Sequence, residues 1–302
     1  MKVYDCFTFY NEFELLELRL KALWDVVDYF VLVEADKKHT NEPKPYYFWE
    51  RQDEFREFFP KIRHLPVEIT VPFKGVGDWS IENAQRDAIA YGLEDAAPDD
   101  LIMISDLDEI PAPDIFERMR EDKIFLTIPF SPPENNSKTC FFLSSGIPAN
   151  EYLEHGAVVL EQKFFYYYFD WVSKSSWRGT VLTKRKNLTT PQNLRNLKDK
   201  FPRISEGGYH FSYMGGVDRV IDKMTSIVDG NAIVAQSGGK LIDRKYVEES
   251  LSKGTDIYNR QGRSPYKFYD ARNIRLPHVD EFLKKYPYFL REPEKYFGGS
   301  HD

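Results

Sequence analysis

The sequence predicts an α/β protein with a mostly parallel central sheet flanked by helices. Three observations lead there. Residues 1–115 read as strand, helix, strand, strand, helix, strand, an order that calls for parallel strands joined by crossovers. The strand-like runs are continuously apolar rather than alternating, as strands covered on both faces are. One of them, Leu101 to Ile104, runs directly into the acids Asp106, Asp108 and Glu109 before Pro111 and Pro113 stop it, and open α/β sheets bind ligands just beyond such strand ends.

In chain order, Val3 to Phe9 is the first strand. Asn11 suits a helix cap with Glu14 three positions on, and Leu16, Leu20, Leu23, Trp24 and Val27 follow at helical spacing. Tyr29 to Glu34 is a second buried strand ending in an acid, and Arg63 to Ile69 a third; His39 to Trp49 is too irregular to assign. Ser80 opens a helix with Ile81, Ala84, Ala88 and Tyr91 on its inner face, and the Leu101 strand follows. The later chain changes character. A strand from Ile124 to Phe130 leads to a Pro/Asn/Ser loop, Ser131 to Ser137. Val158 to Trp171 reads as one very aromatic strand. Glycines flank His210 in Gly207 to Tyr213 and again at Gly215-Gly216, which suggests close backbone approach. Val217, Val220, Ile221, Met224, Ile227 and Val228 mark one amphipathic helix; Tyr246, Val247 and Leu251, stopped by Gly254, mark another. Pro277 to Glu292 is helical. No repeat or long linker divides residues 1–302, so one domain with two halves, 1–115 and 116–302, is expected.

Composition bounds the function. The chain has 302 residues, 42% apolar and 29% charged, enough for a large core. Its net charge of −7 disfavours a nucleic-acid binder, which needs a basic surface. Aromatic residues reach 16%; flat rings suit the C–H faces of sugars, although most will be core. Cys6 and Cys140 make neither a disulfide framework nor a zinc cluster, and buried thiols are expected. No apolar run is long enough for a transmembrane segment, the start reads as a strand rather than a signal peptide, and a cytoplasmic protein is expected. The sequons Asn135-Asn136-Ser137 and Asn187-Leu188-Thr189 mean little without secretion.

No G-x-G-x-x-G follows the first strand and no phosphate-loop lysine motif occurs, which disfavours a dinucleotide dehydrogenase or P-loop enzyme. A nucleotide would have to be held by side chains and a metal. Asp106 and Asp108, at alternate positions after a buried strand, can converge on a hard divalent cation carrying a diphosphate; an acidic loop without metal is the plain alternative. Asn11, Glu34 and Arg86 could line the same crevice, or serve as a cap and a surface pair.

At this point the residues carry a resemblance. Tyr4-Asp5-Cys6-Phe7-Thr8-Phe9-Tyr10-Asn11-Glu12, Phe30-Val31-Leu32-Val33-Glu34-Ala35, Gln85-Arg86, Ser105-Asp106-Leu107-Asp108-Glu109-Ile110-Pro111 and Gly208-Tyr209-His210-Phe211-Ser212 occur in that order. Together they make the chain similar to glycosyltransferase family 17. The resemblance implies a GT-A type fold, a UDP-sugar donor with N-acetylglucosamine the expected sugar, Mn2+ or Mg2+, and transfer to a glycan acceptor with inversion. Residues 1–115 would be the donor half and 116–302 the acceptor half. Secreted members carry an anchor and stem; their lack here points to a soluble bacterial or viral member acting on a lipid-linked or polysaccharide glycan.

On that reading Asp108 is the surer metal ligand. Asp106 reaches ribose, or the metal through water. His210 completes the metal shell or is a buried histidine satisfied by backbone. An inverting transfer needs one general base: Asp218 is the first choice, though it could be a helix cap, with Glu109, Asp170 and Glu206 as alternatives. Trp171, Trp177 and Tyr209 could stack the acceptor sugar. The rivals are a metal-dependent phosphohydrolase or nucleotidyltransferase, which would need more acids or a Lys/Arg cluster near the loop, and a non-catalytic sugar-binding module.

Overall fold

The computed structural model describes residues 1–121, 123–130, 141–260 and 265–298. The loop Ser131 to Ser137, with its Asn135 sequon, and Cys140 lie outside them. The elements run β1 Val3–Phe9, α1 Phe13–Leu23, β2 Tyr29–Ala35, α2 Tyr47–Arg51, β3 Ile62–Val67, α3 Ser80–Asp87, β4 Leu101–Asp106, β5 Glu109–Pro111 and α4 Ile115–Arg120. They continue with β6 Phe125–Phe130, β7 Phe141–Pro148, α5 Ala149–Leu153, β8 Ala157–Tyr166, β9 Trp171–Val172, β10 Trp177–Lys184, α6 Pro191–Leu197, β11 Arg203–Ile204 and β12 Gly208–Ser212. The last are α7 Val217–Ser226, α8 Val228–Gln236, α9 Arg244–Lys253, β13 Lys267–Phe268, α10 Val279–Lys285 and α11 Pro293–Phe297.

The fold is mixed α/β, with a large sheet and helices. Its main path is β3-β2-β1-β4-β10-β8-β11-β6-β7. The expected parallel sheet is found in its first four strands, where β1 pairs in parallel with β2 and β4, and β2 with β3. Beyond β4 the sheet is mixed: β10 is antiparallel to β4 and β8 to β10, while β11 and β12 lie parallel to β8, so "mostly parallel" holds for the first half alone. Continuous apolar runs follow from burial on both faces. Along β1, Val3, Phe7 and Phe9 join the core with Leu16, Leu20 and Leu23 of α1, while Tyr4 and Cys6 pack on the opposite side with Val31, Val33 and Ile104. Cys6 is a buried free thiol, and burial pushes its ionisation well up.

Two further expectations are corrected. The aromatic run to Trp171 is not one strand. Tyr167 adopts a left-handed φ of 69°, and the chain returns as β9, with Val172 opposite Phe165 in an antiparallel pair. The helix from Val217 breaks at Ile227, whose φ −94° and ψ 155° are extended, so its second part re-aims as α8. The glycine expectation is met at Gly208: its φ is +136°, and a Cβ there would lie 2.3 Å from the Ile110 carbonyl oxygen. Only glycine lets β12 approach β5 this closely.

Candidate functional site

The loop after β4 is held from beneath by a side chain that the sequence pattern hides inside α1. Arg19 is fully buried and pairs with Asp5 of β1 at 2.6 Å. Its Nη1 donates to the carbonyl oxygens of Asp106, Leu107 and Glu109 at 3.0, 2.9 and 2.9 Å, and Nη2 donates to Ser105 Oγ at 2.6 Å. A planar guanidinium can serve several acceptors at fixed angles. The acidic loop is thereby fixed before any ligand arrives.

Above this loop opens a cavity of about 430 Å³, lined by residues that follow β1, β2 and β4, by α3 and α6, and by the edges of β12, α7 and α8. Asp106 and Asp108 both line it, but each already holds cations. Asp106 accepts from Arg86 Nη2 at 2.8 Å and from Arg195 Nη2 at 3.0 Å. Burial alone would raise its carboxyl; the charges of Arg195 and Arg86 instead hold it well below the usual range. Asp108 accepts from Lys223 Nζ at 2.6 Å and faces His210 Nε2 at 3.4 Å. Against its burial, Lys223 and His210 likewise hold it far below the usual range. Next to them Glu82 meets Arg86 at 2.9 Å and His39 at 3.3 Å.

His210 stacks on Phe164, ring centroids 4.9 Å apart and planes within 9°, and packs against Trp177 at 4.6 Å. Its Nδ1 is buried and finds no hydrogen-bond partner among the described residues. Trp177 also lies under the Lys198 ammonium, 4.5 Å from its ring centroid. Lys198 has no carboxylate within ion-pair distance among the described residues, and burial with the nearby Arg195 lowers its ionisation.

Of the residues the sequence singled out, Arg86, Asp106, Asp108, Trp177 and His210 meet in this cavity. The others do not line it. Glu34 is fully buried and accepts from the Phe48 backbone N–H at 3.0 Å and His64 Nε2 at 3.2 Å, with Lys44 at 3.7 Å. Asn11 does not cap α1; its side-chain amide donates to Asp222 at 3.0 Å. Glu109, also fully buried, accepts from Trp177 Nε1 at 2.7 Å and from Arg195 at 2.8 and 2.9 Å, so it positions two cavity residues from behind. Trp171 is buried beneath Arg291. Tyr209 is buried in the core, and its hydroxyl accepts from the Arg275 backbone N–H at 2.8 Å. Asp170 accepts from the Arg291 and Glu292 backbone N–H groups, and Glu206 is exposed. Asp218 has an 81% exposed side chain paired with Arg244 on the outer surface. It neither lines the cavity nor caps α7, whose N-cap is Gly216.

Sequence reasoning missed Lys223, Lys198, Arg195 and Glu82. Lys223 had a signal: it stands three residues after buried Val220 and next to buried Met224, on the inward side of an amphipathic helix. Arg195 and Lys198 lie in a stretch with no strong periodicity.

A divalent cation can be tested against these donors. Among the described residues no three His, Cys, Asp or Glu side chains gather closely enough to hold one unaided. Asp108 and His210 do face each other in the cavity, and Mg2+-like ions are often held by one or two carboxylates with substrate phosphates completing the shell. The residues fit a metal that arrives with an anionic ligand.

Residues 1–125 match the family model described as Glycosyltransferase family 17. Beta-1,4-mannosyl-glycoprotein 4-beta-N-acetylglucosaminyltransferase of Homo sapiens is 35% identical over 112 residues, which is 34% of this chain and 21% of that protein. The Rattus norvegicus protein of the same name is 35% identical over 112 residues, again 34% of this chain and 20% of that one. The chain thus spans about a fifth of the length of these relatives. Among solved structures, mannosyltransferase PcManGT from Pyrobaculum calidifontis in complex with GDP-Man and Mn2+ is 12% identical, with 85% of this chain and 77% of that chain covered at a TM-score of 0.37. A likeness that loose has no bearing on chemistry.

Proposed function

We propose, taking as premise that residues 1–125 are a glycosyltransferase family 17 sequence, that this chain transfers a sugar from a UDP-sugar to a glycan hydroxyl with inversion. N-acetylglucosamine is the expected sugar and a GT-A type arrangement the expected scaffold. One observation supports this most. The chain as a whole carries a net charge of −7, yet eight Lys and Arg against five Asp and Glu line its cavity. Basic lining in an acidic protein selects and focuses an anionic ligand. The cavity's size suits a small-molecule ligand, and its place past the ends of β1 and β4 is where α/β sheets bind them.

In this reading the leaving diphosphate meets Lys198, which forms no ion pair among the described residues, together with Arg86, Arg195 and Lys223; fixed cations aimed at developing charge lower the barrier. Asp108 and His210 would hold Mn2+ or Mg2+, which supplies Lewis-acid stabilisation of the diphosphate when bound. Trp177 and Phe164 offer flat apolar faces to a sugar ring. The same basic cluster is what a phosphohydrolase or nucleotidyltransferase would need, so the test must separate them. The chain is incubated with UDP-N-acetylglucosamine, Mn2+ and the aryl β-glycosides of mannose, glucose, galactose and N-acetylglucosamine, and products are read by mass and by anomeric NMR. A β-linked N-acetylhexosamine adduct is expected, with Asp108→Asn reducing its rate ~10²–10³-fold. Donor cleavage with no adduct would favour the hydrolase; no turnover at all would contradict the transferase.

A further inference from the structure

An inverting transfer needs a carboxylate free to take a proton, and the cavity's acids are not equal in this respect. Glu82 is held by Arg86 and His39. Asp106 is held by two arginines, and Asp108 by Lys223 and His210. Glu12 stands 3.7 Å from Lys223 and accepts the Asn11 backbone N–H at 3.2 Å. The fifth is Asp229: its side chain has no hydrogen bond or ion pair among the described residues, and it lines the same cavity. The extended backbone of Ile227 puts it there. This break ends α7 at Ser226, and Asp229 enters in the first turn of the re-aimed α8. Had the helix run straight through, residue 229 would have continued the α7 surface.

We infer that Asp229 is the general base that takes the proton from the acceptor hydroxyl. The assignment rests on the transferase reading above. The acceptor O–H bond breaks, its proton passes to the Asp229 carboxylate, and the oxygen's electron pair forms the new bond to the anomeric carbon. The bond from that carbon to the diphosphate breaks, and its electron pair leaves on the diphosphate; the proton on Asp229 then passes to solvent. The surroundings help: Asp229 is solvent-exposed while lining the cavity, and the desolvation by its neighbours, with the negative charge of Glu82 adding to it, raises its carboxyl, while Arg260 opposes this. A base whose ionisation lies nearer the working pH transfers protons more effectively.

Asp229→Asn and Asp229→Ala are compared with the wild type in the aryl-glycoside assay, together with UDP affinity by calorimetry and melting temperature. A general base is typically worth ~10²–10⁴ in rate. Both variants are expected to lose turnover on that scale, with UDP affinity within about threefold of wild type and an unchanged fold. Wild-type transfer that persists in Asp229→Ala within about threefold would overturn the assignment and leave the transferase reading standing. Equal loss of turnover and UDP affinity would also overturn it, making Asp229 part of the donor site. Absence of transfer by the wild type to any of the four glycosides would overturn both.

Discussion

Glu82 shows how finely the cavity's charges are balanced one residue at a time. Burial alone would raise its carboxyl from the ordinary 4.5, but the charges of His39 and Arg86 bring it down to about 2. His39 moves the other way: burial would lower it, and Glu82 raises it above 6.5. A depressed acid stabilises the fold above its unfolded value and loses that contribution as pH falls through the folded value; a raised histidine contributes below its unfolded value and loses it as pH rises through the folded one. The pair therefore stabilises most between about pH 4.5 and 6.5. Urea midpoints across this range should show the wild type weakening on the acid side from pH ~4.5 toward ~2, and Glu82→Gln should flatten that limb. Identical limbs in the two proteins would contradict the pairing. Residue identity in the sequence was a fair guide only where the backbone gave direction. Asp106, Asp108 and Arg86 were legible because a buried strand end and an amphipathic helix aim them. Glu34 and Tyr209 look as functional in sequence, yet they spend their polar atoms on the fold, and nothing in their types distinguishes that.

At the scale of elements, the acidic loop depends on α1 through Arg19. Replacing it by alanine strands buried Asp5 and three loop carbonyls, a loss of about 3–5 kcal/mol by the usual cost of breaking a buried pair. Arg19→Lys keeps the charge but not the fork, and is also expected to destabilise and to weaken UDP binding. Urea unfolding and calorimetry together check this; native stability in both variants would show that the loop holds itself. Elements with one strong period were legible: β1, α1, β2 and β4 lie where the apolar pattern puts them, whereas α3 opens at Ser80 as expected but ends at Asp87, and Tyr91, expected on its inner face, is 68% exposed in the 3-10 turn that follows. The breaks at Tyr167 and Ile227 were not. Tyr167 is a non-glycine residue in a left-handed conformation, and Ile227 continues the apolar helical pattern, so the local signal points across each break. Tertiary packing decides both, and the second break is what brings Asp229 into the cavity.

On the scale of the whole molecule, the parallel half of the sheet was readable because crossover helices leave a strand–helix rhythm. The mixed half was not, since β10 pairs antiparallel with β4 and β12 lies antiparallel to β5 but parallel to β8, pairings between strands far apart in sequence that leave no local signal. No helix among the described residues is long and apolar enough to cross a membrane. Charge is distributed unevenly, negative overall and basic within the cavity, and this is the property on which the functional account turns. It is tested most directly by calorimetric titration of the full chain with UDP, with and without Mn2+, at low and high NaCl. The account predicts saturable binding at one site, strengthened by Mn2+, weakened by salt as screening of fixed charges requires, and reduced about tenfold or more by Lys198→Met. No binding of UDP under any of these conditions, or binding indifferent to both salt and Lys198→Met, would contradict it.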